Sequence, residues 1–216
     1  MDIHAEHDPC FFFKFNSDGT YIMTAVTLDD FLVVASHPDQ MEAFNSMLTS
    51  KYKIKRLYKP SSYLNWNVQH YPDGSIHISQ PQPIQALLDK YQMNDANIRS
   101  TPLPHKANFD LTTTPLPPHQ RKEYESIIGS LRYLADSTRL DIAYAIGKLA
   151  QFTHQPQRHH FEMLKHVLRY LKGTKDHGIL YSASPQDQVL ETYSDADYAS
   201  AKDRHSQEGY LHTAFG

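Results

Sequence analysis

The sequence predicts an α+β chain in which hairpins come first and helices follow, and three observations carry that prediction. The first hundred residues hold short aromatic and β-branched runs separated by Asp-Gly turns, the pattern of antiparallel hairpins. Residues 121–172 carry three apolar stripes at helical spacing. Between them, residues 101–118 contain five prolines and no periodicity, which predicts an extended connector and a candidate boundary.

Composition bounds what such a chain can do. At 216 residues there is enough material for one large or two small cores. A 40% hydrophobic and 21% charged content is that of a soluble globular protein. No run approaches the ~20 apolar residues of a membrane span, and the Met-Asp-Ile-His start is not a signal peptide. The default expectation is therefore an intracellular protein, cytoplasmic or nuclear, with no membrane partner. A net charge of −3 argues against holding nucleic acid by bulk charge and leaves local basic patches for that role. The single cysteine, Cys10, excludes an internal disulfide and a cysteine zinc site. Its apolar neighbours predict a buried structural thiol. Among 14 histidines, His4/His7 and His159/His160 are close pairs, but neither has further ligands at metal-site spacing, so solvated surface histidines are expected.

Taken in order, residues 10–15, 21–28 and 31–35 read as three strands. The first two join at Asn16-Ser17-Asp18-Gly19, and the last two meet at Asp29 and Asp30. Adjacent carboxylates between apolar strands repel and resist desolvation, so they are either solvated at a turn or neutralised by a divalent cation. Mg²⁺ is the hard-cation candidate, because it takes one or two carboxylates and fills its other positions with water and substrate phosphates. A plain Asp-Asp turn is the simpler reading of the spacing alone. His37-Pro38-Asp39 then opens a helix in which Met41, Phe44 and Leu48 share a face.

The next stretch is basic and aromatic: Lys51, Lys53, Lys55, Arg56 and Lys59 interleave with Tyr52, Ile54, Leu57 and Tyr58. It suits a groove that tracks phosphates, and equally an edge strand whose lysines discourage pairing. Residues 63–69 and 75–79 form another hairpin around Pro72-Asp73-Gly74. Pro83 opens a helix with Ile84, Leu87, Leu88 and Tyr91 on one face.

Beyond the connector, three helices are predicted over 121–135, 141–152 and 157–172. Their apolar faces are Tyr124, Ile127, Ile128 and Leu131; Ile142, Ala145, Ile146 and Leu149; and Phe161, Leu164, Leu168 and Leu171. Gly173 is the expected stop. On the last helix Arg158, Lys165, Arg169 and Lys172 fall on roughly one face, which either follows a phosphate backbone or is solvated beside Glu162. Residues 178–181 and 189–193 read as strands, the second running into Ser194-Asp195-Ala196-Asp197.

Several of these stretches resemble one family. Val26-Thr27-Leu28-Asp29-Asp30-Phe31-Leu32-Val33-Val34-Ala35-Ser36 resembles the Tyr-x-Asp-Asp hairpin of reverse transcriptases, specifically the copia-type retrotransposon branch. His7-Asp8-Pro9-Cys10-Phe11-Phe12-Phe13-Lys14 resembles the strand before it. More specific are residues 124–134 (YESIIGSLRYL), 138–145 (TRLDIAYA) and 168–174 (LRYLKGT), which resemble the blocks joining polymerase to RNase H in copia-type polyproteins. Residues 193–199 and 202–210 resemble the start of the retroelement RNase H.

The resemblance implies partial polymerase palm hairpins with a thumb-like helix in residues 1–100 and a linker in 101–120. It further implies a helical connection in 121–176 and the first strands of an RNase H-like sheet in 177–216. It implies RNA-directed DNA polymerase ancestry, Mg²⁺ held by Asp29 and Asp30, and Asp195 as a metal-binding RNase H carboxylate. The implied partners are an RNA/DNA primer-template and dNTP, with missing polypeptide segments supplied in trans. Two departures stand out. Thr27 replaces the family's tyrosine, and Asn65 stands where the family has a glycine for close backbone approach. Two-metal chemistry needs carboxylates on both sides of the ions, and the family's other ligands fall outside residues 1–216. The reading is therefore a degenerate Pol fragment, inactive alone. Two other readings stand beside it: a non-catalytic nucleic-acid-binding module using the basic residues, and a host-adopted interaction domain built on the central helices.

Overall fold

The computed structural model describes residues 8–183, 190–196, 206 and 208–214. Expectations for His4, His7, Asp197 and residues 198–205 lie outside the described residues. The chain divides into two compact units, Met1–Tyr58 and Lys59–Gly216. The boundary falls within the basic stretch.

In the first unit, β1 (Phe11–Phe15), β2 (Tyr21–Thr27) and β3 (Asp30–Ala35) form an antiparallel sheet in the order β1-β2-β3. Gly19 closes the first turn with φ +82°, and the Asp18 carboxylate accepts hydrogen bonds from the Thr20 amide and hydroxyl. Helix α1 (Pro38–Thr49) follows with proline in its first turn, where the missing amide costs nothing. Of its predicted face Phe44 turns to the sheet, beside Met47, and no α1 residue is fully buried. An apolar groove of about 310 Å³ remains between sheet and helix, lined by Phe13, Ile22, Val26, Phe31, Phe44 and Met47 among others.

Two expectations fail in this unit. Cys10 is exposed, because the Asp8 carboxylate holds the Cys10 amide in a turn that ends before β1 begins. Residues 51–58 form no strand, so lysines guarding a sheet edge do not describe them.

The second unit begins with β4 (Ser62–Tyr63), β5 (Trp66–His70) and β6 (Ile76–Ser79). The strand predicted over 63–69 is interrupted at Leu64 and Asn65, which take φ +48° and +65° and form a two-residue hairpin turn. Asparagine tolerates the left-handed backbone nearly as glycine does, so the substitution at 65 preserves the turn. Helix α2 (Pro81–Lys90) buries Ile84, Leu87 and Leu88. It ends with Gln92 at φ +53° and with Met93 donating to the Leu88 carbonyl at 2.8 Å and Gln92 to that of Asp89 at 3.2 Å. That is a Schellman closure without its usual glycine.

Helix α3 (Pro118–Ser137), a 3₁₀ turn (Leu140–Ile142), α4 (Ala143–Ala150) and α5 (Arg158–Gly173) bury the stripes predicted for them, and with α2 they form one continuous core. Gly173 ends α5 without a left-handed turn; a Cβ there would stand 3.3 Å from that of Ile98, so close packing is the constraint. The proline-rich stretch is extended but is not a free linker. Leu103, Ala107, Phe109 and Leu116 pack on the core, and Pro115 bridges Gln157.

The closing strands also depart from expectation. β7 (Gly178–Tyr181), expected to open an RNase H-like sheet, pairs antiparallel with β6 and completes a β4-β5-β6-β7 sheet. Gly178 permits it, since a Cβ there would lie 2.1 Å from the Ile78 carbonyl oxygen. β8 (Leu190–Ala196) and β9 (Glu208–Ala214) form a separate two-stranded sheet. The architecture is mixed α+β, as predicted, with small antiparallel sheets.

Candidate functional site

The acid pair sits at the tip of the β2–β3 hairpin. Thr27 pairs with Asp30, leaving Leu28 and Asp29 as a two-residue loop. Leu28 is left-handed at φ +51° and 94% exposed. A branched residue in that conformation is strained, and it persists because the flanking strands fix the register on both sides. Asp29 and Asp30 are both exposed. Two accessible carboxylates supply hard oxygen donors of the kind Mg²⁺ takes, so the pair fits part of a divalent site. Among the described residues no group of three His, Cys, Asp or Glu side chains comes together around it or elsewhere.

Asp195 lies on β8 in register with Gly209, exposed, with its carboxylate accepting the Ala196 amide at 2.9 Å. No second metal-ligating cluster forms there among the described residues.

The basic residues divide by what holds them. Lys51, Lys53, Lys55 and Lys59 are exposed. Arg56 donates to both Glu42 carboxylate oxygens at 2.8 Å and lies 4.0 Å over the Tyr58 ring. Along α5, Arg158 pairs with Glu162 at 3.3 Å, Lys165 lies 4.6 Å over the Phe161 ring, and Lys172 donates to the Ala96 carbonyl at 2.8 Å. Arg169 is half-buried. Within the stripe Lys165 and Lys172 are engaged by protein groups, while Arg158 stays exposed with its ion pair.

Sequence reasoning missed the polar groups inside the helical core. Arg139, 1% exposed, donates to the Asp141 carboxylate at 2.9 and 2.7 Å and to the Thr174 carbonyl and hydroxyl at 2.9 and 2.7 Å. Tyr170 donates to the same carboxylate at 2.7 Å. Burial pushes the Asp141 carboxyl up, but hydrogen bonds from Arg139 and Tyr170 and the guanidinium charge outweigh it and hold it below its ordinary value. A buried charge is tolerated here because nearly every donor has an acceptor. The network ties residues 138–145 to 168–174, which gives these two sequence blocks a common physical task. An Arg and an Asp two residues apart beside apolar helices were its one visible signal.

The His159/His160 pair also reverses its expectation, being buried rather than solvated. Both rings donate to the Phe109 carbonyl, at 3.1 and 2.8 Å, and the His160 Nδ1 accepts the Gln157 amide that opens α5. Burial lowers the His160 pKa, and the Phe109 carbonyl only partly offsets it. Their role is to fasten the proline-rich strap to the start of α5.

Comparison with known proteins gives the following. Residues 3–105 match the family described as Reverse transcriptase (RNA-dependent DNA polymerase). The Retrovirus-related Pol polyprotein from transposon TNT 1-94 of Nicotiana tabacum is 31% identical over 97% of this chain and 16% of its own length. That from transposon RE1 of Arabidopsis thaliana is 36% identical over 86% of this chain and 12% of its own length. The Uncharacterized mitochondrial protein AtMg00810 of Arabidopsis thaliana is 33% identical over 85% of this chain and 75% of its own. The chain therefore spans under a fifth of the two polyproteins. No solved structure gives a significant match.

Proposed function

Because this chain belongs to the reverse transcriptase family, in the branch of the copia-type retrotransposon Pol polyproteins, we propose that it is the metal-bearing hairpin, thumb and connection segment of an RNA-directed DNA polymerase. One observation carries the reading: a two-residue turn presents Asp29 and Asp30 side by side, exposed, at the end of a paired hairpin. Bound Mg²⁺ would supply activation of a primer 3′-hydroxyl and neutralisation of the dNTP phosphates. Asp29 and Asp30 would hold part of its coordination, and the hairpin register that holds Leu28 in the turn sets their position. A third carboxylate, which no described residue supplies, comes from another segment of a Pol protein, so the chain does not extend a primer alone. In the same reading residues 177–216 descend from the beginning of RNase H, with Asp195 as one ligand of that centre.

Primer extension on an RNA template with Mg²⁺ tests this. The purified chain is expected to incorporate no more dNTP than its Asp29→Asn/Asp30→Asn variant, and activity is expected when an upstream Pol segment is added to the wild type but not to the variant. Incorporation by the chain alone that the variant loses would overturn the need for a third carboxylate.

A second reading, non-catalytic nucleic-acid binding, is favoured by one feature. Lys51, Lys53 and Lys55 are exposed and interleave in sequence with the exposed Tyr52 and Tyr58, as a phosphate-and-stacking surface requires.

A further inference from the structure

The rings of His159 and His160, 6% and 2% exposed, hold the proline-rich strap to the start of α5. The Phe109 carbonyl bonds both Nε2 atoms, and a carbonyl only accepts, so each Nε2 carries a hydrogen. The Gln157 amide donates to His160 Nδ1 at 3.1 Å, so that nitrogen is bare. The Thr113 hydroxyl donates to His159 Nδ1 at 2.9 Å and accepts the His159 amide at 3.3 Å. Two backbone bonds close around the rings, from Arg158 to the Thr114 carbonyl at 2.9 Å and from Leu116 to the Pro156 carbonyl at 3.0 Å. The set is satisfied only while His160 is neutral.

A proton has no good place on that ring. On Nδ1 it meets the Gln157 N–H, donor against donor. His160 also stands in the first turn of α5, where the helix dipole opposes a cation. Burial holds its pKa below the ordinary value, His159 lowers it further, and the Phe109 carbonyl and the Asp110 carboxylate on the strap only partly offset this. Of the other groups nearby, Arg158 is paired with Glu162, and the turn after α4 presents the uncharged Phe152 ring, stacked on His160 at 3.9 Å.

We propose that this clasp is an acid-released latch: protonation of His160 frees residues 107–116 from the start of α5 while the helical core stays folded. Release lifts Ala107, Phe109 and Leu116 off the core on which they pack, so an apolar surface is uncovered only in acid. The latch is independent of the polymerase reading, since it uses neither Mg²⁺ nor the acid hairpin.

Amide hydrogen exchange of the full chain, corrected for the intrinsic pH dependence of exchange, tests this from about pH 7.5 to about pH 4.5. The Leu116, Gln157 and Arg158 amides report the latch, and those of Leu131 and Ile146 report the core. Protection of the latch amides is expected to lie well below that of the core throughout, the mark of a separate opening. Opening takes up one proton, so latch protection should fall about tenfold per pH unit below 6.5, until the folded value of His160 is reached. His160→Gln does not titrate and should flatten the fall, whatever its starting level. Asp110→Asn, at an exposed position that does not endanger folding, removes a charge that steadies protonated His160 in the closed form. It should deepen the fall and carry it to lower pH. Equal protection of latch and core amides, an undiminished fall in His160→Gln, or a shallower one in Asp110→Asn overturns the latch.

Discussion

The two units differ most in how they treat their apolar residues. In the hairpin unit Phe11, Phe15, Phe31, Leu32 and Val34 remain exposed and α1 buries nothing completely, although Met41, Phe44 and Leu48 share a face on it. In the helical unit Tyr124, Leu131, Leu134, Ile142, Leu149, Leu164, Val167 and Leu168 are at 0% exposure. An amphipathic face yields burial only where a second face meets it at close packing, and three short strands with one helix do not enclose a core. The candidate chemistry therefore sits on the lightly packed unit, while stability resides in the other.

Truncations of matched kind sharpen this contrast. Leu164→Ala should cost about 2–5 kcal/mol, and Arg139→Ala about 1–3 kcal/mol because it removes a buried side chain and takes its donors from the Thr174 carbonyl and hydroxyl. Both are read as shifts in the denaturation midpoint of Trp66 fluorescence, the sole tryptophan lying on β5 of the same unit. Phe44→Ala, at a half-buried position on α1, should cost about half the ~3–5 kcal/mol of a fully buried phenylalanine, read by amide exchange in β1–β3. Equal losses at Leu164 and Phe44 would erase the contrast.

Acid should loosen the helical unit in two steps. His160 and His166 are held below the ordinary imidazole value of 6.5, so the unfolded chain takes up protons first. Stability is full above 6.5 and falls as pH drops from there through the folded values. Asp141 is held below 3.8, so its contribution is present above 3.8 and is lost as pH falls through its lower folded value. His160→Gln should flatten the first step in a series of denaturation curves; an unaltered step would remove the histidine clasp as its cause.

The smallest effects belong to two left-handed residues, one taken from each unit. Gln92→Gly should stabilise the helical unit by about 0.5–1 kcal/mol, since glycine takes φ +53° without a Cβ clash. Leu28→Gly should stabilise the hairpin by a similar amount, about 0.5–1 kcal/mol, at φ +51°. Thermal melts check the first and amide exchange the second, and a loss of stability at either would show that the side chain contributes more than the backbone strain costs.

Much was legible along the chain because it depends on near neighbours. The three strands of the first unit, the β5–β6 hairpin and the apolar faces of α2 to α5 follow from periods of 2 and 3.6 residues and from Gly or Asp-Gly turns. The acid pair followed too, since a turn between two strand-forming runs places Asp29 and Asp30 at a tip. The burial of His159 and His160 was not legible, because their partner, the Phe109 carbonyl, is about fifty residues away and is brought there by the packed strap. Nor was the fate of Lys172, whose helical spacing was read correctly but whose engagement depends on the distant Ala96 carbonyl; the Arg158–Glu162 pair, four residues apart on one helix, was legible.

What the sequence by itself determined is the local menu: where strands, turns and helices form, and that carboxylates stand adjacent at one hairpin tip. Tertiary structure alone decided that β7 joins β6 rather than later strands, a choice made by the close approach that Gly178 permits to the Ile78 carbonyl. It alone also placed Asp141, Tyr170 and Thr174 around the buried Arg139 side chain in one network. Those outcomes depend on distant segments meeting in a low-dielectric interior, where every polar group must find a partner, and no window along the chain contains both halves of such a meeting.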